Sequence, residues 1–188
     1  QQRDMMTSVF KSQIPAMEKS DFLVMFEPVG ATAQPIVITQ NEFMRRMKDM
    51  AAIQSGMAFY GELPDSYNLI VNTDHPLSQK VIADTESACK SELTPILDEL
   101  KTVNEEIERL QEAKKDKKDD EIPVADKEAL KRAEEKAKEL RAKESGILKT
   151  YADRTPLVRQ LVDLALLSNN MLKGEALSKF IKRSVEML

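Results

Sequence analysis

PLVRQLVDLALLSNNMLKGEALSKFIKRSVEML, residues 156–188, carries more apolar surface than one small domain can cover. Two short helices follow from it. Ahead of the first, Thr155 can cap and Pro156 suits the opening helical position. Leu157, Leu161, Leu164 and Ser168 line one side of that helix, while Val158, Val162, Ala165, Leu166 and Leu167 occupy nearly all the rest. A helix that is apolar all round is buried on several sides. In the second helix Leu177, Phe180, Ile181, Ser184, Val185 and Leu188 share a face at spacings of three and four, with Lys179, Lys182, Arg183 and Glu186 opposite. Two readings are open at this point. The pair is either the closing layer of a monomeric core or a surface shared between two copies about a two-fold axis. Four or five Leu-sized side chains per protomer at ~1.5–3 kcal/mol each would offset an association cost of roughly 4–15 kcal/mol. A homodimer is therefore feasible, and joining subunits is the expected role of the pair.

Upstream, the composition shifts. Residues 98–144 hold 29 of the chain's 60 charged residues, 16 acidic and 13 basic. Ile96, Leu100, Val103, Ile107 and Leu110 alternate by four and three, and Leu130, Ala133, Ala137 and Leu140 by three and four. Both are heptad seams too short to persist alone but suited to an antiparallel pair. The stretch between them, KKDKKDDEIPVAD at 114–126, predicts a mobile tip before a helix capped by Asp126. A helical hairpin insertion over 94–148 is expected, acting as a solvated spacer or docking arm. The competing interpretation is a coiled-coil scaffold or adaptor assembled through that hairpin.

Toward the N-terminus, residues 2–11 predict a short amphipathic helix carrying Met5, Met6, Val9 and Phe10. Residues 1–20 are expected to be the tail of a preceding domain or a linker, and 21–188 the domain itself. DFLVMFE at 21–27 and PIVIT at 35–39 read as strands joined by a loop set by Pro28 and Gly30. Thr39 and Glu42 have capping-box spacing and start a helix, on which Phe43, Met47, Met50 and Gln54 fall on one side, flanked by Met44 and Ala51. Met is flexible and overused on surfaces that accept many partners, although a stripe at helical spacing usually means core. MAFYGEL at 57–63 and YNLIVN at 67–72 predict further strands around a turn at Pro64–Ser66. A helix carrying Leu77, Val81 and Ala88 then opens at Pro76, with Asp74 as its cap.

Composition excludes much chemistry. With a net charge of −4, nucleic acid and anionic membranes are not expected partners. A lone cysteine, Cys89, rules out an internal disulfide framework and fits a reducing compartment, and His75 has no companion for a zinc site of the usual kind. No apolar run is long enough to span a membrane, and no signal peptide opens the chain. There is no phosphate-cradling glycine loop and no triad spacing, so no active site is expected. The first residue is Gln, so the expectation is a piece of a longer cytoplasmic protein.

In order, NEFMRRMKDMAA (41–52), NTDHP (72–76), PLSQKVIADTE (76–86) and the motif D-x-A-L-L-S (163–168) followed by a loop and final helix resemble the C-terminal domain of the ninety-kilodalton heat-shock chaperones, in particular the bacterial subgroup. The resemblance covers residues 21 to about 86 and 156–188. It implies an α+β domain, with a small three- or four-stranded sheet, flanking helices, and a terminal helix pair forming a dimeric four-helix bundle. It further implies an ATP-driven homodimeric chaperone whose ATP, magnesium and catalytic glutamate belong to an N-terminal domain outside this chain, so no cofactor and no enzymatic activity are expected here. By position, Leu157, Leu161, Leu164, Ala165, Leu177, Ile181, Val185 and Leu188 would be dimer contacts, with Leu161 and Ile181 central. Phe43, Met44, Met47 and Met50 would touch unfolded client protein. The chain ends in SVEML rather than an EEVD-type tail, so tetratricopeptide co-chaperones are not expected partners.

Overall fold

The computed structural model describes residues 2–53, 63–115 and 123–187. Its sheet is three-stranded among the described residues, built from β1 (Ser20–Glu27), β2 (Ile36–Gln40) and β3 (Asp65–Asn72) in the order β1-β3-β2. β3 is the central strand, parallel to β1 with Val24 opposite Leu69, and antiparallel to β2 with Ile38 opposite the same Leu69. Strand alternation sends Val24, Ile36, Ile38, Leu69 and Val71 into the core. Helix α1 (Gln2–Ser12) adds Met6, Val9 and Phe10 to that core, and Phe10 meets Phe26 edge to face at 6.1 Å. Residues before 21 therefore pack into the same core as the sheet.

Asn72 explains why the strand ends where it does. Its side chain is fully buried. Oδ1 accepts from the Val29 and Asp74 amides at 3.0 and 3.1 Å, and Nδ2 donates to the Gly30 and Gln34 carbonyls at 2.8 and 3.2 Å. One amide side chain thus pins the β1–β2 loop, in which Gly30 adopts φ +100°. The turn expected at Asp65–Ser66 is instead the start of β3, where the Asp65 amide donates to the Lys19 carbonyl at 2.7 Å. Gln54 and nearly all of the strand expected over 57–63 lie outside the described residues.

Helix α2 (Glu42–Ala51) is capped by Asn41, whose Oδ1 accepts from the Met44 amide at 3.2 Å; Thr39, the expected cap, pairs with Asn68 in the sheet. Helix α3 (Pro76–Glu112) begins with His75 as its cap, Nδ1 accepting from the Leu77 amide at 3.1 Å. Asp74 faces the other way and accepts from the Gly30 amide at 2.9 Å. α3 runs unbroken through Pro95, so the two helices read separately around residue 94 are one.

Helix α4 (Val124–Arg154) returns beside α3 in the opposite direction, Lys136 pairing with Glu99. Val103 packs with Ala133, Ala137 and Leu140 in a small core of their own, flanked by Ile96, Leu100 and Ile107. Asp126, the expected cap, lies in the first turn of α4, with Pro123 ahead of the helix, and residues 116–122 lie outside the described residues. Nearer the sheet, Cys89 and Leu93 of α3 and Leu148 and Ala152 of α4 join the main core. The last elements, α5 (Pro156–Ser168) and α6 (Gly174–Glu186), pack over it.

Candidate functional site

Helix α5 is buried on several sides, as a helix apolar all round must be. Val158, Leu161, Val162, Ala165 and Leu166 all enter the chain's own core. Leu161, expected at the centre of a contact between copies, is 3% exposed, and Ala165 is equally covered. Leu164 points outward at 43% exposure. Thr155 precedes the helix but its hydroxyl donates back to the Tyr151 carbonyl at 2.9 Å instead of capping. Asn170 takes a left-handed conformation and the Met171 amide returns to the Leu166 carbonyl at 2.8 Å, closing the C-terminus.

Helix α6 contributes no buried residue. Ala176, Leu177 and Phe180 rest half-buried against the core. Ile181 and Val185 are 54% and 66% exposed, and Met187 beyond the helix end is exposed as well. Of the eight expected contact residues, then, Leu164, Ile181 and Val185 present apolar surface, Leu157 and Leu177 are half-buried, and Leu188 lies outside the described residues.

Between the two helices runs a polar network that the periodicity did not reveal. Asp163, buried, accepts at Oδ2 from Arg159 Nε at 3.0 Å and from Arg183 Nη2 at 2.6 Å. Arg183 Nε donates to Gln160 Oε1 at 2.8 Å, and Gln160 Nε2 donates to Ser184 Oγ at 2.6 Å. Arg183, expected on the solvent face beside Lys179 and Lys182, is turned inward to this carboxylate. Asp163 is the first residue of the D-x-A-L-L-S motif, so its place in that motif has a physical reason. On the solvent side, Lys179 holds the Glu175 carboxyl below its usual range.

Helix α2 is the second apolar surface. None of its residues is buried. Phe43 is 64% exposed, Met50 is exposed, and Ile53, just past the helix end, is exposed too. Met44 and Met47 are half-buried. The helix is fastened at its edge by the Lys48–Asp65 ion pair at 2.7 Å, and Arg45 holds the Glu42 carboxyl below its ordinary value. Sequence reading found Phe43 and Met50 by periodicity; it missed Ile53, exposed just past the C-terminal end of the helix. No group of three or more potential metal ligands forms among the described residues, and no described helix is long and apolar enough to cross a membrane.

No protein-family profile and no solved structure matches the chain. Curated sequences do. The chain is 47% identical over all 188 of its residues to the chaperone protein HtpG of Bacteroides thetaiotaomicron, of which it spans 28%. It is 47% identical over 186 residues, 99% of its length, to that of Bacteroides fragilis strain 638R, spanning 27%. To the HtpG of Porphyromonas gingivalis strain ATCC 33277 it is 46% identical over 190 aligned positions covering the whole chain and 27% of the relative. These matches run through the charge-rich residues 98–144 as well. The chain thus spans little more than a quarter of these relatives, and with the D-x-A-L-L-S helix, the NTDHP hub and whole-length similarity in hand, it belongs to the HtpG chaperones and corresponds to their C-terminal region.

Proposed function

We propose that this chain is the assembly domain of a chaperone, joining two protomers through α5 and α6 and offering α2 to unfolded clients. The carrying observation is that Leu164, Ile181 and Val185 stay exposed where α5 is otherwise committed to the core and α6 only rests on it. Exposed apolar side chains gathered on neighbouring elements mark interaction surfaces, and a terminal pair is readily shared about a two-fold axis. Leu157 and Leu177 would flank the contact. Dimerisation would make meetings between the attached regions effectively intramolecular. In the whole cytoplasmic chaperone those regions would bind ATP with magnesium and hydrolyse it.

For the client role the support is α2, a helix without a buried residue that exposes Phe43 in its first turn, Met50 in its last and Ile53 just beyond it. Such a surface suits weak contact with many apolar segments.

Light scattering during dilution from micromolar to nanomolar tests the first role, with a Leu164→Glu, Ile181→Glu variant alongside. A dimer that becomes a folded monomer in the variant is expected. A variant that stays dimeric moves the assembly surface elsewhere, with α3 and α4 the next place to look. For the second role, Phe43→Ser with Met50→Ser in the full-length chaperone should weaken protection of an aggregating client and leave the dimer intact; unchanged protection would refute it.

A further inference from the structure

Helix α6 is held in two different ways along its length. Its first half rests on the core through Ala176, Leu177 and Phe180. Beyond Phe180 the bonds to α5 are polar: Arg183 to Asp163 and Gln160, and Gln160 to Ser184. Ile181 and Val185 lie in this second half with their apolar surface outward. Three half-buried side chains at one end leave the far end of a helix free to swing, because apolar contact is non-directional. The polar bonds are directional and remove that freedom.

The network is also poorly built as a stabiliser. Both guanidinium groups donate to the same oxygen, and Asp163 Oδ1 is buried with no hydrogen-bond partner among the described residues. A buried carboxylate with one oxygen unsatisfied carries a desolvation cost that its ion pairs barely offset, and apolar residues of similar size would stabilise the helix pair as well or better. What a buried polar group adds over an apolar one is a single defined geometry.

We propose that the Asp163–Arg183–Gln160–Ser184 network is a positioning device for assembly: it fixes the outer half of α6 so that Ile181 and Val185 are presented to a second copy of this chain. The inference rests on the dimer reading above and deepens it. Asp163 is buried within its own chain, and the network acts through the helix it orients.

The test is a comparison of Arg183→Met with Lys182→Met in the 188-residue chain. Both remove one positive charge from α6, but Lys182 is exposed and pairs only distantly with Glu186 at 3.9 Å. The dimer dissociation constant is read by dilution, and amide hydrogen exchange reports order in α5 and α6. Arg183→Met should raise the dissociation constant at least about tenfold, equivalent to ~1.4 kcal/mol, while Lys182→Met changes it less than about twofold. In Arg183→Met the amides of 182–186 should exchange faster while those of α5 keep their protection. Gln160→Ala, which removes one strand of the network and keeps the ion pair, should fall between the two.

A wild-type chain that is monomeric at micromolar concentration removes the dimer reading itself. A wild-type dimer that Arg183→Met leaves unchanged removes only the positioning role. If Arg183→Met and Gln160→Ala both lose protection throughout the core, the network is a structural brace of the whole domain and the proposal fails.

Discussion

Leu161 and Leu164 sit one turn apart on α5 and should respond to the same truncation in opposite ways. Leu161 is 3% exposed inside the chain's own core, so Leu161→Ala removes buried methyl groups and leaves a cavity. Such changes cost ~2–5 kcal/mol, and for a chain of this size each kcal/mol lowers the melting temperature by about 2–4 °C. A loss of roughly 4–20 °C follows. Leu164 is 43% exposed. With ~1.5–3 kcal/mol for burying a whole Leu side chain, its uncovered part is worth about 0.6–1.3 kcal/mol on association. Two protomers double that to about 1.3–2.6 kcal/mol, a roughly eight- to seventy-fold weakening of the dimer. The part of Leu164 already covered would cost the folded chain only about 0.9–1.7 kcal/mol. Melting should be followed in an Ile181→Glu background, where association does not contribute, and the dimer constant by dilution in the otherwise wild-type chain. Equal melting losses for the two variants, or a Leu164→Ala dimer within twofold of wild type, would refute the division of α5 into an inward and an outward side.

The loop hub should be equally sensitive to truncation. Asn72→Ala removes four hydrogen bonds from a buried site and at roughly 0.5–1.5 kcal/mol per bond should destabilise by about 2–6 kcal/mol; a urea midpoint shift worth less than about 1 kcal/mol would contradict the hub. A pH-dependent prediction concerns Glu144, whose carboxyl is pushed up by burial and, to a smaller extent, by the charge of Asp4. The folded chain then holds this proton more tightly than the unfolded one, so stability declines as pH rises from the ordinary Glu value through the raised folded value. Glu144→Gln removes that decline, and its urea midpoint should gain on wild type as pH increases across that window. A constant gap between the two curves would show that Glu144 does not contribute.

The terminal pair could be read as apolar on several sides, but the division of those sides could not. A helical wheel orders Leu157, Leu161 and Leu164 on one stripe and says nothing about which stripe meets the chain's own sheet. That choice is visible only in the packed chain, where Val158, Leu161, Val162, Ala165 and Leu166 enter the core and Leu164 does not. Arg183 beside Lys182 reads as one more solvated cation because periodicity carries no information about a carboxylate waiting across an interface. Helix starts failed locally for a related reason. Thr39 and Asn41 both suit a cap, as do Asp74 and His75, and strand register decides between them: Thr39 is held opposite Asn68, while Asp74 is claimed by Gly30. Asp65 and Ser66 have turn chemistry, yet β1 supplies a partner for each, Ser20 and Asp21, and the ladder wins. The exposed positions Phe43 and Met50 were legible because they lie seven residues apart, on one face of a helix.

The continuity of α3 has a mechanical consequence. At 1.5 Å per residue, a helix from Pro76 to Glu112 is a beam of about 55 Å. Its base is tied to the end of the sheet by the His75 amide on the Asn72 carbonyl at 3.2 Å and the Ser78 hydroxyl on the Pro35 carbonyl at 3.1 Å. The core holds the beam as far as Leu93, so the free part is about 28 Å long, and a tilt of about ten degrees where it leaves the core sweeps the far end through about 5 Å. Pro95 has no amide to offer the Ser91 carbonyl, so the beam has a compliant point partway along. Small angular changes where α3 leaves the core, beside Pro95, are thereby magnified into larger displacements at the distant end of the α3–α4 pair.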